Sequence, residues 1–219
     1  MKHLTKNWQK DYFQKLKKYF EIISSPPNAG RRGFGDIICR MKFQKSDMFR
    51  DKIEMDFVII KDKILKVVNN VEVMSIGGAA IPGALTKGDL DVVIRVGRKK
   101  FPNALKALAA TFKVHHKEMW NEDFAIFKDV SYSPKVDILV TVIGSKSDNL
   151  HKIQELLKEN GKLLEEYNEI KLEFIDSKSK EYKIAKRRFY NKLRKILGFE
   201  EETIFSPPAG RQARLLKMI

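Results

Sequence analysis

A glycine-rich loop followed by closely spaced aspartates constrains this chain more than any other feature. Residues 77–96 read GGAAIPGALTKGDLDVVIRV, so Asp89 and Asp91 stand between a glycine-containing loop and an apolar run. The β-branched residues after Asp91 predict a buried strand. Because residues two apart on a strand project from one face, we expect both carboxylates to lie side by side. Carboxylates this close are costly unless a cation neutralises them, and divalent cations bind oxygen ligands.

A third aspartate lies inside a later apolar segment. Residues 135–142, KVDILVTV, predict a buried strand that carries Asp137. A lone carboxylate among apolar residues is expensive unless it is paired or binds a ligand. If this strand neighbours the strand after Asp91, three carboxylates converge, as two-metal nucleotidyl transfer requires. We therefore assign Asp89, Asp91 and Asp137 as metal ligands and catalytic residues, with turn and cap aspartates as the structural alternative.

The combined pattern resembles the nucleotidyltransferase superfamily that includes DNA polymerase beta. That signature is a Gly-Ser or Gly-Gly pair, roughly ten residues, an Asp-x-Asp or Asp-x-Glu pair and a later strand aspartate. The matching parts here are Gly77-Gly78, Asp89-x-Asp91 and Asp137. The loop resembles the GrpB-like branch more particularly, on the matching residues Pro82, Gly83, Lys87 and Asp91. This resemblance covers roughly residues 50 to 197.

The resemblance implies an α+β fold, a small mixed or antiparallel sheet with helices packed on it, followed by a C-terminal helical part. It also implies a nucleoside triphosphate, ATP among the candidates, and Mg²⁺ (or Mn²⁺) as cofactor. The chain departs from the branch at two positions. Gly78 stands where serine is common, and Asp89 is an aspartate that many GrpB-like loops lack. The retained aspartate pair favours a metal-competent site.

Five residues around the aspartates are candidates for nucleotide binding. Gly77 and Gly78 would cradle phosphates through backbone N–H groups, although a plain tight turn would use glycine equally well. Lys87 would neutralise phosphate, with an exposed loop lysine as the alternative, and Thr86 would donate a hydroxyl. Arg95 lies on the same face of the strand as Asp91, where it would touch the triphosphate or form a salt bridge.

The charge balance predicts a polyanionic partner. Lysine and arginine total 43 against 28 acidic residues, a net charge of +15. An excess this large favours nucleic acid, and RNA through the basic surface is the partner we expect. The last predicted helix, 179–197, carries the speculative nucleic-acid contacts Lys183, Lys186, Arg187 and Arg188. A solvated basic face above an apolar stripe is the alternative.

Apolar periodicity divides the chain into four predicted parts. These are an N-terminal helix and Pro/Gly-rich basic arm (1–46), a nucleotidyltransferase core (47–145), C-terminal helices (146–198) and an irregular tail (199–219). Within them we predict helices at 3–23, 47–69, 101–112, 148–159, 162–175 and 179–197. Strands are predicted at 71–76, 113–119 and 124–130, the last two antiparallel. The terminal arms are candidate surfaces for a protein partner.

Two histidines and a cysteine add smaller expectations. His115 and His116 are adjacent on a predicted strand, where side chains point to opposite faces, which argues against a joint site. A single cysteine, Cys39, cannot form an internal disulfide and favours a reducing compartment. No apolar run approaches the roughly 18 residues of a membrane helix, and the N-terminus lacks a signal core. We therefore expect a cytoplasmic protein with no membrane partner.

Two functions from different classes fit these residues. The leading hypothesis is a metal-dependent nucleotidyltransferase that moves a nucleoside monophosphate from a triphosphate to a hydroxyl, with RNA, tRNA included, as the first acceptor considered. A protein hydroxyl or small molecule comes second. The competing hypothesis is a non-catalytic basic module that binds nucleic acid or ribonucleoprotein. The three aspartates favour the enzyme, whereas the charge and the terminal arms favour the module.

Overall fold

A computed structural model describes residues 43–132, 136–174 and 180–199. The predictions for a helix at 3–23, a Pro/Gly-rich arm, the environment of Cys39 and the tail beyond residue 199 lie outside these residues. The strands are β1 (Gln44–Lys45), β2 (Glu72–Ile76), β3 (Leu85–Thr86), β4 (Asp91–Val96), β5 (Lys113–His115), β6 (Phe124–Asp129) and β7 (Val136–Val142). The helices are α1 (Arg50–Val67), α2 (Phe101–Thr111), α3 (Leu150–Glu159), α4 (Gly161–Glu173) and α5 (Lys180–Ile196).

Five strands form one mixed sheet in the order β2-β4-β7-β6-β5. β4 and β7 are parallel, while β2 with β4, β7 with β6, and β6 with β5 are antiparallel. β1 and β3 form a separate antiparallel ladder next to the glycine loop. The predicted α+β class, a small mixed sheet with helices packed on it, is confirmed. The predicted divisions after residues 46, 145 and 198 stay predictions.

Helices cover the sheet because alternate residues of its central strand are buried on both faces. Val92 and Ile94 of β4 pack in the core formed with α1 and α2, where Ile60, Ile64 and Leu108 are fully buried. On the other face α3 contacts β2, and α3, α4 and α5 share a second core. Asp91 alternates with Val92, so it faces this second helical layer.

Three element boundaries differ from the predicted ones for local reasons. β4 begins at Asp91, so Asp89 lies in the preceding loop rather than on the strand. The strand predicted to reach Met119 ends at His115, because His116 adopts a left-handed conformation (φ 42°) and a 3₁₀ turn follows. The predicted C-cap at Asn160 also begins α4, since its side-chain oxygen accepts a hydrogen bond from the Leu163 N–H.

Candidate active site

Sheet register brings two of the three predicted carboxylates together. Asp91 at the start of β4 is the register partner of Asp137 on parallel β7, so the two backbones are about 4.8 Å apart. Asp89 lies two residues before Asp91 in the connecting loop. The pKa of Asp91 is raised to about 7, chiefly by burial and also by the charges of Asp89 and Asp137. The carboxylates therefore interact electrostatically as one cluster.

Lysines neutralise part of this cluster. Lys186 of α5 and Lys171 of α4 both lower the pKa of Asp91, against the effect of burial. On the sheet itself, Lys128 is the cross-strand partner of Asp137, and its Nζ lies 3.0 Å from the Asp137 Oδ1. Three lysines thus interact with the carboxylate cluster, Lys128 by direct contact with Asp137 and the other two through their charges on Asp91.

The donor chemistry of the cluster fits Mg²⁺ or Mn²⁺, because three carboxylates supply the hard oxygen ligands that these ions prefer. Burial and the nearby carboxylates disfavour the charged form of Asp91, and a bound divalent ion would stabilise that charged form. Within residues 43–132, 136–174 and 180–199, however, no three His, Cys, Asp or Glu side chains are already arranged to hold a metal. Asp89, Asp91 and Asp137 would have to adjust their side chains to share one.

The glycine pair is adapted to this crowding. Gly77 has φ 82°, which strains other residues, and a Cβ atom built there would overlap the Asp91 carboxylate. A Cβ at Gly78 would stand 2.9 Å from the Lys171 Nζ and 3.3 Å from the Leu85 carbonyl oxygen. Each glycine therefore makes room for one charged group of the site. Their predicted contact with phosphate stays a prediction.

Lys171 is the least expected member of the site. Its residue is only 4% exposed, and its ammonium donates a hydrogen bond to the Leu85 carbonyl oxygen while lying 3.7 Å from the Tyr167 ring centroid. Burial lowers the pKa of Lys171 well below its usual value, and the charge of Lys186 lowers it too. Because burial destabilises this ammonium, a bound anion would stabilise it.

At Lys186, the effect of neighbouring groups on the pKa outweighs the effect of burial. Burial favours its neutral amine, but the hydroxyls of Tyr190 and Tyr182 and the carboxylates of Asp91 and Asp89 outweigh burial and raise its pKa. Lys186 therefore stays charged beside the acidic cluster. The phenol of Tyr190 lies 3.4 Å from that of Tyr167, which links the tyrosines of α4 and α5 next to the two lysines.

A cleft of about 450 Å³ lies between the sheet and helices α3 and α5. Asp91, Asp137 and Gly77 line its sheet side, and Lys183, Lys186 and Arg187 line its α5 side. Much of the remaining wall is apolar, formed by Ile76, Ile81, Ile126, Leu139, Leu150, Ile153 and Leu157. Three of the four predicted nucleic-acid contacts thus lie at the cleft, whereas Arg188 is exposed and outside its lining.

Two further nucleotide-binding candidates lie on the loop before β4. The Thr86 side chain is buried, and its Oγ1 accepts a hydrogen bond from the Gly88 N–H at 3.2 Å, so it closes the loop locally. Lys87 is half-buried with its Nζ 5.3 Å from the Phe43 ring centroid, and its charge lowers the pKa of Lys171. Lys87 is therefore near the basic side of the site.

Arg95 is held away from the carboxylate cluster. It lies four residues along β4 from Asp91, about 13 Å at the rise of a strand. Its Nε and Nη2 donate to the two Asp148 carboxylate oxygens, each at 2.7 Å, and its Nη1 donates to Glu72. The structure thus has the salt-bridge alternative at Arg95, and the predicted contact of Arg95 with the triphosphate stays a prediction.

The histidines also differ from expectation. Because His116 leaves the strand in a left-handed conformation, its ring turns back and lies 3.9 Å from the His115 ring, centroid to centroid. Both line the cleft near Asp137. The inference that they point to opposite faces is therefore wrong, and the reason is the early end of β5.

Sequence reasoning missed Arg194, which lines the cleft, and Lys171 and Lys128, which interact with Asp91 and Asp137. One signal was available: Leu163, Tyr167 and Lys171 are spaced by four residues, so Lys171 continues the apolar stripe of α4. Arg194 similarly follows Tyr190 by four residues on α5. A cation within an apolar helical stripe indicates a buried charge.

Comparison with known proteins agrees with this fold. The GrpB protein family matches residues 49–195, which is more than half of the chain. The chain belongs to the GrpB family. A UPF0157 protein of Vibrio cholerae is 26% identical over 159 residues, 72% of this chain and 82% of that protein. The predicted GrpB-like branch is therefore confirmed.

A solved structure of a GrpB protein resembles this GrpB-family chain in fold. The conserved protein GrpB from Enterococcus faecalis superposes with a TM-score of 0.52 at 13% identity, over 66% of this chain and 94% of that one. A cytoplasmic RNA terminal U-transferase superposes with a TM-score of 0.41 at 15% identity, over 61% of this chain and 40% of that one. In the described ranges, every helix is too short or too polar to cross a membrane.

Proposed function

We propose that this GrpB-family protein is a metal-dependent nucleotidyltransferase that moves a nucleoside monophosphate from a nucleoside triphosphate to a hydroxyl. One observation carries the proposal: Asp91 and Asp137 are register partners at the wall of a cleft whose opposite wall carries Lys186. Carboxylates on one side and ammonium groups on the other suit a metal-bound polyphosphate. The apolar remainder of the cleft suits a nucleobase or an acceptor.

The transfer forms one bond and breaks one. The acceptor hydroxyl oxygen bonds to the α-phosphorus, the bond from that phosphorus to the bridging oxygen breaks, and pyrophosphate leaves with the electron pair. Asp137 accepts the proton of the hydroxyl. Asp89, Asp91 and Asp137 would hold Mg²⁺ or Mn²⁺, which supplies charge neutralisation to the triphosphate and orients it. Lys171 and Lys186 bind the phosphate oxygens, and the Gly77 and Gly78 N–H groups donate to them.

The family resemblance and the net charge indicate which donor and acceptor to test. ATP is among the donors to test, and RNA remains the acceptor that the net charge favours. Lys183 and Arg187 at the cleft, with exposed Arg188 beyond it, offer phosphate contacts for such a chain. A small-molecule hydroxyl is the second acceptor, and the cytoplasm is the compartment in which we place the reaction.

A non-catalytic basic module is the second candidate function. The ion pair between Lys128 and Asp137 favours it, because that lysine occupies the side of the carboxylate where a metal would bind. The lack of a preformed three-ligand set among the described residues favours it as well. In this case the same cleft and the basic face of α5 would bind a polyanion without transfer.

A transfer assay separates the two candidates. The protein is incubated with each α-³²P-labelled nucleoside triphosphate, Mg²⁺ or Mn²⁺, total RNA and a small-metabolite extract. We expect label in one acceptor class, lost in Asp91→Asn and retained in Asp62→Asn, an exposed aspartate paired with Lys66 across one helical turn. Absence of transfer, together with absence of metal-dependent triphosphate binding by calorimetry, would leave the basic module.

A further inference from the structure

Arg194 of α5 is a buried arginine whose charge is not matched by an acid within the described residues. Its residue is 1% exposed, and it lines the same cleft as Asp91 and Asp137. The Nη1 atom donates to the Asn191 Oδ1 at 2.9 Å. The Nε and Nη2 atoms have no hydrogen-bond partner in the described part of the chain. Two nitrogen donors of the guanidinium therefore have no acceptor among the described residues.

A buried guanidinium with unpaired donors lowers the stability of the fold. A guanidinium stays protonated in proteins, so its charge cannot be relieved by losing a proton. Burial lowers the pKa of Arg194, and the neighbouring Tyr190 hydroxyl only partly offsets this effect. An uncompensated buried charge is strongly unfavourable, and native proteins leave few buried donors unsatisfied. An apolar side chain of similar length would fill the position at lower cost.

The position of Arg194 relates it to the carboxylate cluster. It lies eight residues after Lys186 on α5, which is about 12 Å along the helix axis. Apolar residues also line the cleft, among them Ile153 and Leu157 of α3 and Ile81 of the loop. On α5 the cleft therefore has Lys186, which interacts with the carboxylates, and Arg194 about 12 Å further along the helix.

We infer that Arg194 binds the carboxylate or phosphate of a small amphiphilic acceptor whose apolar body lies against Ile153 and Leu157. The planar fork of arginine matches both anions, because two parallel N–H groups meet two oxygens. A volume of about 450 Å³ accommodates a small molecule, and a guanidinium this buried is poorly placed for a polynucleotide backbone. The inference rests on the proposed function in naming this ligand the acceptor, whose hydroxyl would extend toward Asp137.

A binding experiment without nucleotide tests this inference apart from the transfer. Hexanoate and hexyl phosphate serve as anionic probes, with hexanamide and hexanol as neutral probes of the same length. Binding is measured by calorimetry on the full chain, on Arg194→Met and on Lys195→Met, an exposed cation next to it. We expect at least about tenfold weaker binding of the anionic probes to Arg194→Met only, because a charge-assisted hydrogen bond is lost. The tighter anionic probe identifies the carboxylate or the phosphate as the natural group.

Thermal unfolding of the same variants completes the test. If Arg194 is retained for a ligand, Arg194→Met has a melting temperature equal to or above that of the parent protein. A lower melting temperature would overturn the inference, because it would show that the fold itself satisfies the charge. Equal binding of the anionic probes to parent and Arg194→Met would overturn it too. So would an RNA 12-mer that loses affinity in Arg194→Met while the small probes bind neither protein.

Discussion

Asp91 and Asp137 are direct register partners on two parallel strands, β4 and β7, at the centre of the sheet. Parallel pairing places both residues at the same level of neighbouring strands, and the charge of one raises the pKa of the other. Backbone hydrogen bonds of the sheet fix this relation, since Asp137 N–H donates to the Leu90 carbonyl at 3.2 Å. The backbones that carry these two carboxylates are thus held by the pairing of the sheet.

Metal binding at this pair predicts a stabilisation that depends on Asp91. At 100 times its dissociation constant, Mn²⁺ with a non-hydrolysable triphosphate should add about 2.7 kcal/mol to the free energy of unfolding. Asp91→Asn should lose this gain, whereas exposed Asp62→Asn should keep it. Urea unfolding with and without Mn²⁺ measures both. An equal gain in all three proteins would place the metal elsewhere.

The close approach of Gly77 to Asp91 predicts a costly substitution. Gly77→Ala should lower the free energy of unfolding by about 2 kcal/mol, because the residue has φ 82° and its Cβ would overlap the Asp91 carboxylate. Gly97 is the matched control, with φ −63° and open space around a built Cβ. Gly97→Ala should be neutral or stabilise by up to about 1 kcal/mol. Urea denaturation compares them; equal effects would contradict the crowding.

Lys171 predicts a separation of stability from binding. Lys171→Met removes a buried ammonium together with its hydrogen bond to the Leu85 carbonyl oxygen; these effects oppose each other, so the free energy of unfolding should change by less than about 1 kcal/mol. Triphosphate binding should weaken about tenfold or more, because a charge-assisted contact to phosphate is lost. Lys192→Met, which removes an exposed ion pair with Glu166, should bind like the parent. Calorimetry with a non-hydrolysable triphosphate measures this, and unchanged affinity in Lys171→Met would exclude the assigned role.

The Arg95–Asp148 pair predicts an acid-sensitive contribution to stability. Burial raises the pKa of Asp148, but hydrogen bonds from Arg95 and the Gly144 N–H outweigh burial and hold it below its usual value. A carboxyl with a lowered folded pKa stabilises the protein above its unfolded pKa, about 3.9, and loses this contribution as pH falls through the folded value.

Asp148→Asn should therefore cost about 3 kcal/mol at pH 7, as the loss of one partner from a buried pair does. The cost should shrink as the pH falls below about 4, because Asp148 then becomes protonated in the parent as well. Urea unfolding of both proteins between pH 7 and pH 3 measures the difference. A cost that does not depend on pH would show that packing, rather than charge, makes the contribution.

The sheet and its acidic residues could be predicted because strand periodicity and the price of a buried carboxylate are local signals. The runs after Asp91 and around Asp137 are β4 and β7, and the observed register makes them neighbours, which was the condition for the carboxylates to converge. The exclusion of Asp89 from β4 and the turn of His116 depend on single backbone conformations, which periodicity does not determine. The left-handed φ of His116 is such a case.

The buried cations Lys171 and Arg194 were not predicted from the sequence, for a different reason. Lysine and arginine on a helix are usually exposed, and the chain has 43 of them, so composition drew attention to α5 as a surface. Only tertiary packing buries Lys171 and Arg194, because α4 and α5 pack against each other and against α3. The partner of Arg95 likewise depends on a long-range contact, to Asp148 53 residues away.

The most direct test of the account is a crystal structure of the protein with Mn²⁺ and a non-hydrolysable nucleoside triphosphate. The account predicts an anomalous manganese peak coordinated by Asp91 and Asp137, with Lys128 displaced from Asp137 and the phosphates between the metal and Lys186. A nucleotide bound elsewhere, or phosphates in the cleft with Lys128 still on Asp137 and no manganese peak, would contradict a metal-dependent site.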